Sequence, residues 1–239
     1  MKKSLLHIFY FLFFISIHVS VAQVKPQPTK LTKPKLVLGI VVDQMRNDYI
    51  YRYWNRFGNG GFKRLVENGY YFKNAHYNYI PTFTGPGHCS IYTGATPKTH
   101  GIIANDWHIK SSHNSTYCVE DTLVNSVGTN NKNGRMSPKN QLSSTMGDEL
   151  KISSNGQAKV FAVALKDRSA ILPAGHSGNA AYWFDDETGN FISSTWYQNQ
   201  LPDWLVNYNN EKKWIKYLSN NWSPLYSIET LSKFSSKSF

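Results

Sequence analysis

Cysteine is nearly missing from this chain: the 239 residues hold two, Cys89 and Cys118. One pair is no disulfide framework for a domain of this length, and neither a CxxC nor a Cys/His zinc spacing occurs. Cys89 reads as a small buried thiol on a helix. Acidic residues are also scarce, 15 against 26 lysines and arginines, giving a formal net charge of +11. The basic residues are scattered rather than gathered along a stripe, which argues against nucleic acid as a specific partner. The balance is compatible with anionic substrates. All eight histidines lie at or before His176, so residues 177–239 contain none. Beyond the N-terminus no apolar run is long enough for a membrane span, and there is no internal repeat.

What is present begins with a leader. Lys2 and Lys3 precede an apolar run from Leu5 to Ile17 and a small-residue site, Ser20-Val21-Ala22. This pattern predicts a secretory signal peptide over residues 1–22, and hence export to the periplasm or the medium. Residues 23–35, QVKPQPTKLTKPK, carry three prolines and four lysines without apolar periodicity, as a linker does. From residue 36 onward enough chain remains for one domain with a substantial core.

The element pattern is that of an α/β protein. KLVLGIVV, Lys35 to Val42, is a strand-length run apolar on both faces, which suits a parallel sheet covered by helices. Gly61 to Asn68 is a short amphipathic helix followed by Gly69, and Tyr70 to Asn74 reads as a returning strand. Gln141 to Ser153 predicts a helix and Ala158 to Leu165 a strand. Tyr182 to Tyr197 predicts a β-hairpin, and Lys212 to Leu218 one or two helical turns. Trp107 to Pro138, rich in Asn and Ser, has no period and is expected as a long surface insertion.

Ligands of open α/β sheets gather at strand carboxyl ends. Asp43 closes the first predicted strand, and Lys166 and Arg168 follow a later one. NYIPTFTGPGHCSIYTG, Asn78 to Gly94, starts a helix near Thr84, and helix starts attract anions through free N–H groups and the dipole. Each residue also fits a plainer role. Asp43 and Thr84 suit helix caps, Asn105 a turn, and the Lys166–Arg168 pair a solvated loop. It is their joint occurrence that suits a phosphate and a metal.

VVDQMR at Val41 to Arg46, IPTFTGPGH at Ile80 to His88, HGIIANDW at His100 to Trp107 and KDRSAILPAGH at Lys166 to His176 stand in order along the chain. This set resembles the alkaline phosphatase superfamily, and within it the secreted bacterial alkaline phosphatases with a threonine nucleophile, near the type I phosphodiesterases and nucleotide pyrophosphatases. The resemblance runs from residue 36 to about 230 and corresponds to the N-terminal half of such a protein. It implies an alkaline-phosphatase-like, mostly parallel sheet flanked by helices, incomplete in this chain. It also implies a monomer that hydrolyses phosphate monoesters with two zinc ions through a phosphothreonine.

Carried over by residue, Thr84 matches the nucleophile and, with Asp43, a zinc ligand. Asn105, Lys166 and Arg168 match the groups that hold the phosphoryl oxygens. Sulfatases place a Cys or Ser before a Pro/Arg motif that does not follow Thr84. The Lys-x-Arg pair favours monoesters, because a diester needs room for a second ester group where these charges stand.

The histidine-free stretch departs from the pattern, which calls for an Asp with a His four residues on, an Asp-His pair and a late His. Together with the aperiodic ending after Ile228-Glu229-Thr230, it predicts a truncated or frame-shifted product, or a fragment, lacking most metal ligands. A phosphodiesterase of the same superfamily and a non-catalytic remnant are the alternatives. For the leader the expected outcome is cleavage after Ala22. N-terminal mass spectrometry of the exported protein should then find Gln23 first, and an intact Met1 would refute it.

Overall fold

The computed structural model describes residues 34–233. The predicted signal peptide, the linker as far as residue 33 and the last six residues lie outside them. The chain divides into two units, Met1–Val41 and Val42–Phe239. In the first, residues 34–41 form neither helix nor strand, and Leu36, Val37, Leu38 and Ile40 are exposed. The strand expected from Lys35 to Val42 is therefore not formed. A run apolar on both faces becomes a strand only where another strand takes its backbone hydrogen bonds, and the described part of this unit contains no other strand.

The second unit opens with α1 (Asp48–Arg52) and α2 (Phe62–Asn68). The amphipathic pattern forms α2 as expected, and the Gly69 N–H closes it on the Leu65 carbonyl at 3.0 Å. Tyr70–Asn74 is not the returning strand the sequence suggests. Its aromatic rings find each other and a helix instead: Tyr70 and Phe72 lie 4.8 Å apart, and the Tyr71 hydroxyl donates to Asn47. There follow α3 (Thr84–Thr93), α4 (Pro97–His100), β1 (Asp106–Ile109), β2 (Asn114–Tyr117), β3 (Ser126–Val127), α5 (Met146–Ser153) and β4 (Phe161–Ala164). The remainder is α6 (Asp167–Ala174), β5 (Ala180–Asp185), β6 (Asn190–Ser194), α7 (Asp203–Asn210), α8 (Lys213–Leu218) and α9 (Ile228–Ser232).

β1 and β2 form an antiparallel hairpin with Asp106 opposite Tyr117. The main sheet has the order β3-β6-β5-β4 and is mixed: β4 and β5 run parallel, while β5–β6 and β6–β3 are antiparallel. The α/β class is as expected, and the hairpin β5–β6 turns at the Asp-Glu-Thr-Gly segment. Between helices and sheet lies one core, built from Cys89 of α3, Ala170, Ile171, Leu172 and Ala174 of α6, and Ala181, Trp183 and Ile192 of the strands. Each large aliphatic side chain buried there contributes about 1.5–3 kcal/mol.

The segment Trp107–Pro138 is not confined to the surface. Cys118, Val119, Asp121, Val124, Val127 and Ser137 are all buried. Its order comes from side-chain bonds rather than periodicity, such as Ser137 Oγ to Asp121 at 2.6 Å and Lys139 Nζ to Asp121 at 3.0 Å. The helix expected from Gln141 starts at Met146 instead. Residues 141 and 142 are held away from it, since the Leu142 N–H donates to the His100 carbonyl at 2.9 Å. Thr145 and Asp148 then form a reciprocal capping box.

Asp148 also ties this cap to the end of α6. It accepts from Ser177 N at 2.7 Å, Ser177 Oγ at 2.6 Å and His176 N at 3.3 Å. Burial opposes its charge, but the His176, Ser177 and Thr145 donors outweigh burial and hold the carboxyl far below its ordinary range. The folded pKa lies below the unfolded one. Its stabilisation is therefore full above the unfolded pKa and is lost as pH falls toward the folded one. Urea midpoints should drop below about pH 4, and Asp148→Asn should cost about 1–3 kcal/mol at neutral pH while flattening that acid limb. An unchanged acid limb in the variant would refute the assignment.

Candidate active site

α3 begins at Thr84 itself. Its N-cap is Phe83, in extended conformation and with no side-chain cap. Thr84 is thus the first helical residue rather than the capping one, and its hydroxyl is used elsewhere: Oγ1 donates to Asp43 Oδ2 at 3.1 Å. The other Asp43 oxygen accepts from Gln44 N at 3.1 Å. Asp43 caps no helix, since the N-cap of α1 is Asn47.

Asn105 does more than shape a turn. Its Oδ1 accepts the Gly85 N–H at 2.8 Å, and its carbonyl accepts from Cys118 N at 2.8 Å. The approach is close, and a side chain here would press on its neighbours. A Cβ on Gly85 would stand 3.2 Å from Asn105 Oδ1 and from the Ala104 carbonyl, and 3.4 Å from Cys118 Sγ. With Oδ1 committed to Gly85, the amide nitrogen of Asn105 remains as a donor.

The start of α3 offers an anion little of its own. Gly85 N–H goes to Asn105, Pro86 has none, and Gly87 N–H closes on the Phe83 carbonyl at 2.9 Å. Only the Thr84 N–H is left. At α6 the N-cap is Lys166, whose carbonyl takes the Ser169 and Ala170 N–H groups, while Arg168 N–H goes to Asp167 Oδ1 at 2.6 Å. Anion recognition here falls to side chains.

Arg168 is not a solvated loop residue. Its side chain is 18% exposed, and Nη1 donates to the Tyr117 hydroxyl at 2.8 Å. Tyr117 in turn donates to Asp167 Oδ1 at 2.5 Å. Burial pushes the Asp167 carboxyl up, and its bonds from Tyr117 and Arg168 offset this only in part. Burial also raises the Tyr117 hydroxyl, with the Asp167 charge adding to it, so it stays protonated throughout the neutral range. Lys166 is exposed. Lys166, Arg168, Tyr117, Asn133 and Trp183 help to line an open cleft of about 240 Å³.

The structure therefore brings Asp43, Thr84 and Asn105 together at the start of α3, and Lys166 and Arg168 together at the start of α6. Both groups border the adjacent residues Tyr117 and Cys118. Tyr117 and Asp167 were missed by sequence reasoning. Asp167 lay inside the Lys-Asp-Arg motif as a signal, whereas Tyr117 sits where no period exists. For zinc the described residues supply two oxygens, from Asp43 and Thr84. No three His, Cys, Asp or Glu side chains gather as ion ligands among the described residues. Two donors do not make the four-coordinate site zinc needs, so the ions implied by the resemblance do not fit these residues as a set.

Residues 37–232 match the model of the type I phosphodiesterase/nucleotide pyrophosphatase family. The chain belongs to that family. It is 50% identical over 211 residues to alkaline phosphatase PhoV of Synechococcus elongatus, covering 87% of this chain and 38% of that protein. It is 49% identical over 197 residues to alkaline phosphatase PafA of Elizabethkingia meningoseptica, covering 82% and 36%. The crystal structure of wild-type PafA superposes with a TM-score of 0.83 at 46% identity, over 85% of this chain and 39% of that one. The chain thus spans under two fifths of the length of these relatives. A second PafA structure, with a TM-score of 0.82, carries substitutions of a threonine, an asparagine, a lysine and an arginine.

In this member of the family neither cysteine is placed as a nucleophile. Both are fully buried and unpaired, and burial pushes the Cys89 thiol up to about 12 and the Cys118 thiol up as well. A thiol reagent should find no reactive group in the native protein and two once denaturant is added. A fast native reaction would contradict this placement.

Proposed function

We propose that this chain carries the nucleophile and the phosphate-holding groups of an exported alkaline phosphatase, a phosphomonoesterase. One observation carries the reading. The Thr84 hydroxyl, free of any capping role, is held by Asp43 at the head of α3, near Asn105, whose amide oxygen holds the Gly85 N–H and leaves its nitrogen to donate. The PafA variant supports it, because threonine, asparagine, lysine and arginine are the residue types of Thr84, Asn105, Lys166 and Arg168. In both chains the lysine and arginine stand two residues apart. Export rests on the leader pattern of residues 1–22.

In this reading the Thr84 oxygen attacks phosphorus and gives up its proton, and the bond to the leaving oxygen breaks. That oxygen departs as the alcohol with a proton in exchange, and a phosphothreonine is left for water to hydrolyse. Asp43, accepting the Thr84 hydroxyl proton, turns the oxygen lone pairs outward. Arg168 and Asn105 donate to the equatorial oxygens and Lys166 adds a compact charge, where phosphoryl transfer is chiefly stabilised. Zinc dependence requires ligands beyond those described, and no step is assigned to it. The family model favours a second reading, a phosphodiesterase or nucleotide pyrophosphatase. The Lys-x-Arg pair favours monoesters over it, since these charges suit the additional anionic oxygen.

The test is a chain completed with the remaining sequence of PafA. Thr84→Ala should abolish the phosphoenzyme and nearly all turnover. Arg168→Ala should slow an aryl monoester about a hundredfold, the scale of a lost preorganised donor, and a matched diester less. A phosphoenzyme formed by Thr84→Ala, or equal losses on both esters, would overturn these roles.

A further inference from the structure

Arginine and carboxylate side chains that meet frequently close on one another in a two-pronged pair. Arg168 and Asp167 do not: Nη1 and Oδ1 stay 3.9 Å apart. The Tyr117 hydroxyl stands between them, 2.8 Å from Nη1 and 2.5 Å from Oδ1. A phenol has one proton to give. Asp167 takes it, and the oxygen lone pairs are thereby left for Arg168. Asp167 is itself fixed by the backbone N–H of Arg168 at 2.6 Å. The ring of Tyr117 adds a second contact, with the guanidinium carbon 5.9 Å from its centroid.

We propose that Tyr117 is a positioning residue for phosphate: its hydroxyl, oriented by Asp167, fixes the Arg168 guanidinium and keeps the carboxylate from taking its donors. This rests on the reading of Arg168 as a phosphate-holding group. Left to itself, an arginine side chain loses rotamer entropy when it is fixed. Here that cost is met before an anion arrives. Tyr117 takes Nη1, Nε is buried without a partner among the described residues, and Nη2 makes no hydrogen bond to them. Nη2 of a residue lining the cleft is thus left to donate. A direct Arg–Asp pair would occupy the same donors.

The experiment measures inorganic phosphate binding by calorimetry on the full 239-residue chain, with thermal melts recorded alongside. Tyr117→Phe, which deletes one oxygen, should weaken phosphate about tenfold or more, as expected for loss of a hydrogen bond to a charged group. In an Arg168→Ala background the same substitution should have no further effect, because nothing remains to be positioned. An equal loss in both backgrounds, or unchanged affinity in Tyr117→Phe while Arg168→Ala weakens binding, overturns the proposal and leaves the functional reading standing. Unchanged affinity in Arg168→Ala, or no binding by the unaltered chain, overturns the functional reading and this proposal with it.

Discussion

The site depends on the end of one short strand. Tyr117 closes β2, and Cys118 follows it into the core. The Cys118 N–H holds the Asn105 carbonyl, and its sulfur lies against the place where a Cβ on Gly85 would stand. One residue earlier, the Tyr117 side chain reaches the other way, to Arg168 and Asp167. The chain turns after Tyr117, at Cys118, so the two side chains part there. Two adjacent side chains can therefore serve the two helix starts, Thr84–Gly85 and Asp167–Arg168, and hold them in one frame. The β1–β2 pairing, with Asp106 opposite Tyr117, sets the register of that frame.

A helix start followed by glycine suggests an anion held on backbone N–H groups, and here the backbone is mostly engaged already. Asn105, Pro86 and the Phe83 carbonyl leave α3 one unengaged N–H, and at α6 Lys166 and Asp167 take the N–H groups of Arg168, Ser169 and Ala170. What remains for an anion is the dipole of each helix together with two cations and an amide carried on rigid elements. Side chains held in this way discriminate by geometry, since each donor is aimed before the ligand arrives.

Thr84, Asn105, Lys166 and Arg168 could be singled out in sequence because each sits at an element boundary, where turn chemistry and polarity coincide. Asp43, expected to close a strand that is not formed, borders no element. The hairpin β5–β6 and helix α2 were legible for the ordinary reasons of alternation and amphipathic spacing. The strand expected from Lys35 to Val42 and the one at Tyr70–Asn74 failed on one point. Apolar or aromatic content measures the wish for burial, and a strand also needs a neighbour to take its backbone bonds. The start of α5 was misjudged because the apolar pattern begins at Gln141, whereas the capping residue Thr145 and its partner Asp148 decide where the helix turns in. Tyr117 was illegible: its segment is ordered by polar bonds such as Ser137 to Asp121, which leave no period to read.

Burial separates two parts of the proposed chemistry. Arg168, Asn105 and the head of α3 are anchored on the core formed by Cys89, Cys118 and Ala170 to Leu172, so the groups proposed to hold phosphate sit on packed structure. Asp43 is exposed, and its side-chain contacts are the Thr84 hydroxyl and the Gln44 N–H. A carboxylate orients a threonine hydroxyl but does not lower its pKa, because its negative charge disfavours the alkoxide, which positive charge would have to stabilise. Recognition and activation therefore have different requirements. The described residues meet the first with groups fixed by packing, and the second awaits charge that they do not supply.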